Sequence, residues 1–271
     1  ILIKNILNIM NKQDIFTQKE NTVVDVILPN YNKSQFVEEA INSVTKQTYK
    51  NWRLYIIDDN STDSSIKKID KFSNMKNIKI IKLKKNKGPS FCRNYSIRIS
   101  KSKYIAFIDS DDVWSINKLE KQIHFMEKNN YVFTYTDYTP FFEKNGKKRM
   151  KKRTFLKNKF DLETFTKNSS INTTTMIINR SILKTHRFQK IKLLEDYLFK
   201  CKLFKNNNIA YKLNDDLAFY RILDKSRSSQ RLKNIYWLWH INKKYNKFNF
   251  LNNFMSIFFI AINSIKKYGI K

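Results

Sequence analysis

Glycine is nearly missing from this chain: Gly88, Gly146 and Gly269 are the only three in 271 residues. No Gly-x-Gly-x-x-Gly turn can be assembled from them, which excludes the usual dinucleotide-binding loop. Cysteine is equally scarce. Cys92 and Cys201 lie in unrelated segments, a pattern that favours free thiols in a reducing compartment over a disulfide framework. The three histidines, His124, His186 and His240, are scattered, so no zinc spacing exists and any metal must be held by oxygen. Long apolar runs are lacking too. The longest near the end, "FMSIFFIAINSI" at 254–265, falls short of the roughly 20 residues a membrane span requires. The start, residues 1–22, has a short apolar, lysine-bearing stretch without a small-residue cleavage site. It reads as a leader or part of an upstream helix, not as a signal peptide. A soluble or peripheral protein is expected.

Acidic residues are outnumbered, 23 against 53 Lys and Arg, for a formal net charge of +30. Such an excess suits nucleic acid or anionic lipid as a partner. Most of it is lysine accompanied by abundant Asn and Ile, which also fits a general compositional bias. With 41% hydrophobic and 14% aromatic residues, the chain can bury a core of one large domain, with or without a small appendage.

From Val23 onward, β-branched runs alternate with helical spacing. "VVDVIL" precedes "SQFVEEAINSVTKQ"; "WRLYIID" (52–58) precedes a helix from Asp63; "IKIIKL" (78–83) precedes one from about Pro89; "YIAFID" (104–109) precedes one from Ser115. Alternation of this kind predicts an α/β fold, a mostly parallel sheet with helices on both faces. Further on, "YVFTYTDYTPF" predicts a fifth strand, "FEKNGKKRMKKR" a hairpin with Gly146 at its tip, and "DLETFTKN" a short helix opened by Asp161. A strand over 173–179, a helix over 195–207 and two or three aromatic, lysine-rich helices from Gln230 complete the pattern.

Two acidic clusters, "DDNSTD" at 58–63 and "DSDD" at 109–112, fall at predicted strand ends, where open α/β sheets bind ligands. Asp109, Asp111 and Asp112 repel one another when ionised, so they demand a cation or open solvent. Mg²⁺ or Mn²⁺ carried by a diphosphate needs only one or two protein carboxylates. The competing reading is helix capping, by Asp111 or Asp112 for the helix that follows and by Asp63 for its own. Asp59 is not needed for a cap.

Taken in order, "VILPNYN", "YIIDDNSTD", "GPSFCRN", "YIAFIDSDD" and "LLEDYL" resemble the family 2 glycosyltransferases, whose nucleotide-binding fold is called GT-A. The likeness covers roughly residues 22 to 230. It implies an inverting, metal-dependent transferase that moves a sugar from a nucleotide-sugar, often a UDP-sugar, to a hydroxyl of a glycan or lipid-linked acceptor. By the resemblance, Pro29, Tyr31 and Asp59 would hold the nucleoside. Asp109 and Asp111 form the Asp-x-Asp, with Asp109 near the ribose and Asp111 the direct ligand of Mn²⁺ or Mg²⁺. Ser110 lies between them, and Asp112 stands behind the metal. Asp196 matches the catalytic base, against the competing reading of Glu195 and Asp196 as favourable charge at a helix start. Arg93 and Asn94 fit the family's Ala-Arg-Asn segment, with Cys92 in place of alanine. Arg93 either approaches the donor or buttresses the sheet, and Arg221 either covers the diphosphate from a loop or lies on the surface.

Departures from the family pattern are also legible. Asn60 replaces a usual glycine, tolerable because Asn visits left-handed conformations. The segment before Glu195 lacks the common Gly-Gly-Phe-Asp, and neither Gln-x-x-Arg-Trp nor a membrane span occurs, against a processive synthase. The expected organisation is a leader at 1–22, a GT-A catalytic domain at 23–229 and a helical tail at 230–271. The tail looks like that of enzymes of lipopolysaccharide or capsule assembly. Trp237, Trp239, Phe254, Phe258 and Phe259 either pack on the domain or dock on an anionic membrane surface. The expected setting is cytoplasmic, with docking on the inner face of the membrane left open. Two rival classes remain: a nucleotidyltransferase, which usually needs a glycine-rich loop that "LPNYNKS" lacks, and a nucleic-acid binder, which gives the acidic clusters no role.

Overall fold

Seven nearly continuous buried residues, VDVILPN, form β1 (Val24–Asn30) at the middle of a sheet, as expected of a parallel strand covered on both sides. A computed structural model describes residues 23–144, 146–183, 186–223 and 231–268. The leader at 1–22 and the expected boundary at 229/230 lie outside the described residues. Parallel to β1 run β2 (Trp52–Asp58) on one side and β4 (Tyr104–Phe107) on the other, with β3 (Ile78–Lys82) beyond β2. Between them come α1 (Val37–Thr45), α2 (Ser65–Asp70) and α3 (Pro89–Ile99). Strand order therefore runs outward through β2 and β3 and then reverses to β4. The crevice at the carboxyl ends of β1 and β4 is the switch point where such sheets bind ligands.

The second half extends the same sheet. After β5 (Val113–Trp114) and α4 (Lys118–Asn129) comes the long β6 (Phe133–Lys144), hairpinned to β7 (Lys147–Met150) with Gly146 at φ 70°. Then follow β8 (Lys159–Phe160), α5 (Leu162–Thr166), β9 (Ile177–Asn179), α6 (Glu195–Phe204) and β10 (Ala210–Arg221). β9 is antiparallel to both β4 and β6, while β10 is parallel to β6. The sheet is thus mostly parallel with an antiparallel insertion, flanked by helices. Asp161 opens α5 through a full capping box with Thr164.

Three local expectations are corrected. The helix expected at Ser115 begins at Lys118, because Val113 and Trp114 first pair with Phe219 and Ala218 of β10; Asp111 and Asp112 therefore cap nothing. The run at 173–179 is a strand only in its second half. Asn172 accepts the Thr174 amide and winds Thr173–Thr175 into a 3₁₀ turn. The helix expected from Asp63 starts at Ser65; Asp63 instead accepts the Ser65 and Ser34 amides at 2.9 Å each, tying two loops together.

The tail is two helices, α7 (Arg231–Lys244) and α8 (Phe250–Tyr268). A buried polar chain fixes them to the rest: Tyr197 of α6 donates to Asn242 at 2.8 Å, Asn242 to Ser256 at 2.9 Å, and Ser256 to the Thr166 carbonyl at 2.5 Å.

Candidate active site

Above the carboxyl ends of β1, β2 and β4 opens a cleft of about 760 Å³. Nine of the residues singled out in the sequence line it, Pro29, Tyr31, Asp59, Arg93, Asp109, Ser110, Asp111, Asp196 and Arg221, while Asp112 and Asn94 do not. They come from six separate stretches of chain. The topology alone brings them together.

Each stretch is held by a few specific bonds. At the end of β1, Asn30 donates to Asp58 at 2.8 Å, and Asp58 also accepts the Ser61 amide, fixing the turn after β2. Tyr31, which follows, stays 47% exposed and offers a ring at the mouth of the cleft. Asn60 sits at φ 63°, the left-handed conformation expected of a residue standing in for glycine. Asp59 is buried, and its two carboxylate oxygens accept the Lys87 and Gly88 amides at 2.7 Å each. That pins the loop leading into α3.

α3 serves both halves of the site through adjacent side chains. The buried Arg93 guanidinium donates to Asp109 at 2.7 Å and lies 3.7 Å from Glu195. Burial alone would lower its pKa, but Asp109 and Glu195 raise it instead. Asn94 clamps the strap before α6, donating to the Phe188 carbonyl and accepting its amide. That strap ends at Leu194 in a left-handed conformation (φ 63°), a strained choice for a residue with a Cβ. The turn it makes delivers Glu195 and Asp196 to the cleft. Asp196 accepts from Lys200 at 2.8 Å and from the Thr173 hydroxyl at 3.4 Å. Burial pushes its carboxyl up, but Lys200, followed by Arg93, outweighs that and holds it below the ordinary range.

The "DSDD" turn is closed by the Asp112 amide donating to the Asp109 carbonyl. Asp111 faces Lys33, which donates to it at 2.7 Å. Arg221 is corrected: it ends strand β10 instead of lying on a loop, and its guanidinium is committed to neighbours. It donates to Glu39, Glu143 and the Asp111 carbonyl, between the rings of Phe36 and Phe141. Its amide donates to Asp112. Arg221 therefore braces the turn from behind.

The turn holds three carboxylates but only two of them have ion pairs among the described residues, Asp109 with Arg93 and Asp111 with Lys33. Asp25, at the opposite end of β1, shows how this protein normally satisfies a buried carboxylate, with Arg53 and the amides of Lys101 and Ser102 all donating to it. Asp112 is equally buried but has no ion pair among the described residues: it accepts the Arg221 amide and lies beside the Thr174 hydroxyl, and its Oδ2 has no hydrogen bond of normal geometry. Burial, then Asp111 and Asp109, push its carboxyl well above the ordinary range. An added cation would relieve all three groups. Among the described residues no cluster of three or more His, Cys, Asp or Glu forms a metal cage, so the set suits a hard divalent ion that brings phosphate oxygens of its own.

Sequence reasoning overlooked several cleft residues. Lys33 stands two places after Tyr31, and Lys200, a buried partner of Asp196 outside the lining, one helical turn after it; both were legible as spacing. The segment 168–173 and the tail residues Asn234, Ile260 and Ser264 also line the cleft, which only the three-dimensional packing reveals.

The sequence pattern of Glycosyl transferase family 2 matches residues 25–187. Among related proteins, WfgD of Escherichia coli, named as a UDP-Glc:α-D-GlcNAc-diphosphoundecaprenol β-1,3-glucosyltransferase, is 33% identical over 223 residues, covering 82% of this chain and 86% of its own. Among solved structures, S. aureus TarS (residues 1–349) in complex with UDP-GlcNAc superposes with a TM-score of 0.69 at 20% identity, covering 90% of this chain and 72% of that one. The mannosyltransferase PcManGT of Pyrobaculum calidifontis, in complex with GDP-Man and Mn²⁺, gives 0.65 at 13% identity, covering 92% and 76%. These two establish the fold, which is GT-A.

Proposed function

This chain belongs to glycosyl transferase family 2, and from that premise we propose that it moves a sugar, with inversion, from a UDP-sugar to a hydroxyl of a lipid-linked saccharide in bacterial surface-polysaccharide synthesis. The observation that carries the assignment of residues is convergence: a strand-end carboxylate turn and the carboxylate of Asp196 face one cleft from different elements. The relative WfgD, whose name gives a UDP-sugar donor and a diphosphoundecaprenol acceptor, supports the choice of both substrates. Membership of the family sets the nucleotidyltransferase and nucleic-acid readings aside.

In this mechanism Tyr31, Pro29 and Asp59 form the nucleoside end of the cleft. Asp109 and Asp111 would hold Mn²⁺ or Mg²⁺, with Asp112 buried behind them. When bound, the ion offsets the charge of the diphosphate as it leaves. Asp196 accepts the proton of the acceptor hydroxyl while that oxygen bonds to the anomeric carbon. The bond from that carbon to the diphosphate oxygen breaks on the opposite face, and the electron pair departs with the nucleotide. General-base help of this kind contributes about 10²–10⁴-fold. Glu195, 3.7 Å from the Arg93 guanidinium, ties the first turn of α6 to α3.

Thermal stabilisation tests this reading, since a ligand that binds only the folded chain raises the melting temperature. Among UDP-, GDP-, CMP- and dTDP-sugars, the UDP-sugars are expected to stabilise the protein in a Mn²⁺-dependent way, and Asp111→Ala to abolish the effect. Equal shifts with and without Mn²⁺, or an undiminished shift in Asp111→Ala, would remove the "DSDD" turn from the metal site.

A further inference from the structure

Helix α8 buries two polar side chains on its inner face, between Ile257 and Ile260 that pack on the core, and turns a second apolar stripe outward. Asn253 and Ser256 are buried; Asn253 donates to the Trp239 carbonyl at 3.0 Å, and Ser256 belongs to the chain that reaches Asn242 and Thr166. Phe250 (73% exposed), Leu251, Phe254 (52%), Phe258 (49%) and Ile265 stand in solvent. With Ala261, also exposed, they fall within an arc of about 100° at 3.6 residues per turn. Rotating the helix to bury this stripe would strand Asn253 and Ser256 in solvent and take Ser256 away from the Asn242 amide and the Thr166 carbonyl, a costly exchange for buried polar groups. The outward stripe is therefore built in. Its neighbour α7 adds exposed Leu232, Ile235 and Tyr236.

We propose that the outer face of α7 and α8 is an interfacial surface that lies on an anionic lipid bilayer and presents the cleft to an acceptor anchored there. Charge selects the occupant. Residues 225–271 contain ten Lys and Arg and no Asp or Glu, and Lys233, Lys243, Lys244 and Lys247 are exposed beside the stripe. A second copy would set lysines against lysines across a two-fold contact, whereas anionic headgroups attract them while the aromatic stripe enters the acyl boundary. No helix among the described residues is long and apolar enough to cross a membrane, so the mode is in-plane. The same two helices supply Asn234, Ile260 and Ser264 to the wall of the cleft, so a lipid-linked saccharide could reach the cleft with its lipid still in the bilayer. This last step rests on the proposed acceptor class.

The test is cosedimentation of the full chain with vesicles of phosphatidylcholine containing about 30% phosphatidylglycerol, or of phosphatidylcholine alone, at low and moderate salt. Wild type is expected to bind the anionic vesicles, more weakly as salt rises, and Phe254→Ser/Phe258→Ser to lose about tenfold or more in affinity. Both side chains are exposed, so an unchanged melting temperature serves as the folding control. Failure of wild type to bind, or equal binding by the double variant, overturns the proposal. So does a wild-type dimer that the double variant renders monomeric, since a second copy would then be the occupant. UDP release from the donor without vesicles is measured in parallel: its loss alone counts against the transferase reading, and loss of vesicle binding alone counts against the surface.

Discussion

Lys200 donates to Asp196 at 2.8 Å across one turn of α6, so the proposed base is held as a carboxylate by its own helix. Burial favours the neutral acid, and the charges of Lys200 and Arg93 reverse that preference. A base with a depressed pKa stays ionised well into acid. Lys200→Met is expected to shift the acid limb of the kcat/KM profile upward by about 1–3 units, with Lys200→Arg restoring it. Asp196→Asn should lower kcat by about 10²–10⁴ above that limb, where the wild-type carboxylate is ionised. A profile unchanged in Lys200→Met would mean that Asp196 does not set that limb.

Lys33 and a divalent ion compete for the same carboxylate in this arrangement, since Lys33 already donates to Asp111. Removing the ligand and removing the competitor should therefore act in opposite directions. Asp111→Asn is expected to weaken Mn²⁺ binding in the presence of UDP about tenfold or more, about 1.4 kcal/mol or above. Lys33→Met should leave Mn²⁺ binding without nucleotide unchanged or tighter. Titration of Mn²⁺ followed by its electron paramagnetic resonance signal reads both, and weaker binding in Lys33→Met would refute the competition.

Much of this site was legible because family motifs mark strand ends, and strand ends of a parallel sheet share one edge. Asp59 and Asp109 could be placed that way without coordinates, whereas Asp196, in the first turn of α6, was legible only through its motif. Arg221 could not. Its loop reading came from the polar residues after it, while its position depends on β10 pairing with β6 and β5. The start of α4 was misplaced for a related reason: Val113 and Trp114 continue an apolar pattern, and only their long-range partners on β10 decide between strand and helix. The outward direction of the Phe254 and Phe258 stripe of α8 was likewise hidden, because helical spacing identifies a stripe but not the direction it faces.

Arg221 ties three elements, α1, β6 and its own β10, to the "DSDD" turn through bonds that a lysine cannot duplicate, because the guanidinium fork reaches Glu39, Glu143 and the Asp111 carbonyl at once. Breaking a buried pair by removing one partner costs about 3–5 kcal/mol, and the partial exposure of both glutamates reduces this. Arg221→Lys is expected to lose about 1–3 kcal/mol in urea unfolding and to weaken donor binding through a loosened Asp111. A stable variant with normal donor affinity would show that the turn holds itself.

Lys118 is fully buried, over the ring of Trp114 and donating to Gln122 at 2.5 Å, with no carboxylate among its hydrogen-bond or ion-pair partners. Burial lowers its pKa to about 7, whereas an unfolded lysine keeps its proton to about pH 10.4. Between these values the unfolded chain binds the additional proton, so the contribution of this residue makes stability rise with pH. Below pH 7 both states are protonated and the full cost of the buried charge is present. Lys118→Met should therefore be more stable than wild type near pH 6, and its advantage should shrink steadily toward pH 9–10. Urea unfolding at three pH values in that window checks the slope. An advantage that is constant, or that grows with pH, would show that the ammonium is not held at a cost and that the Trp114 and Gln122 contacts stabilise its charged form.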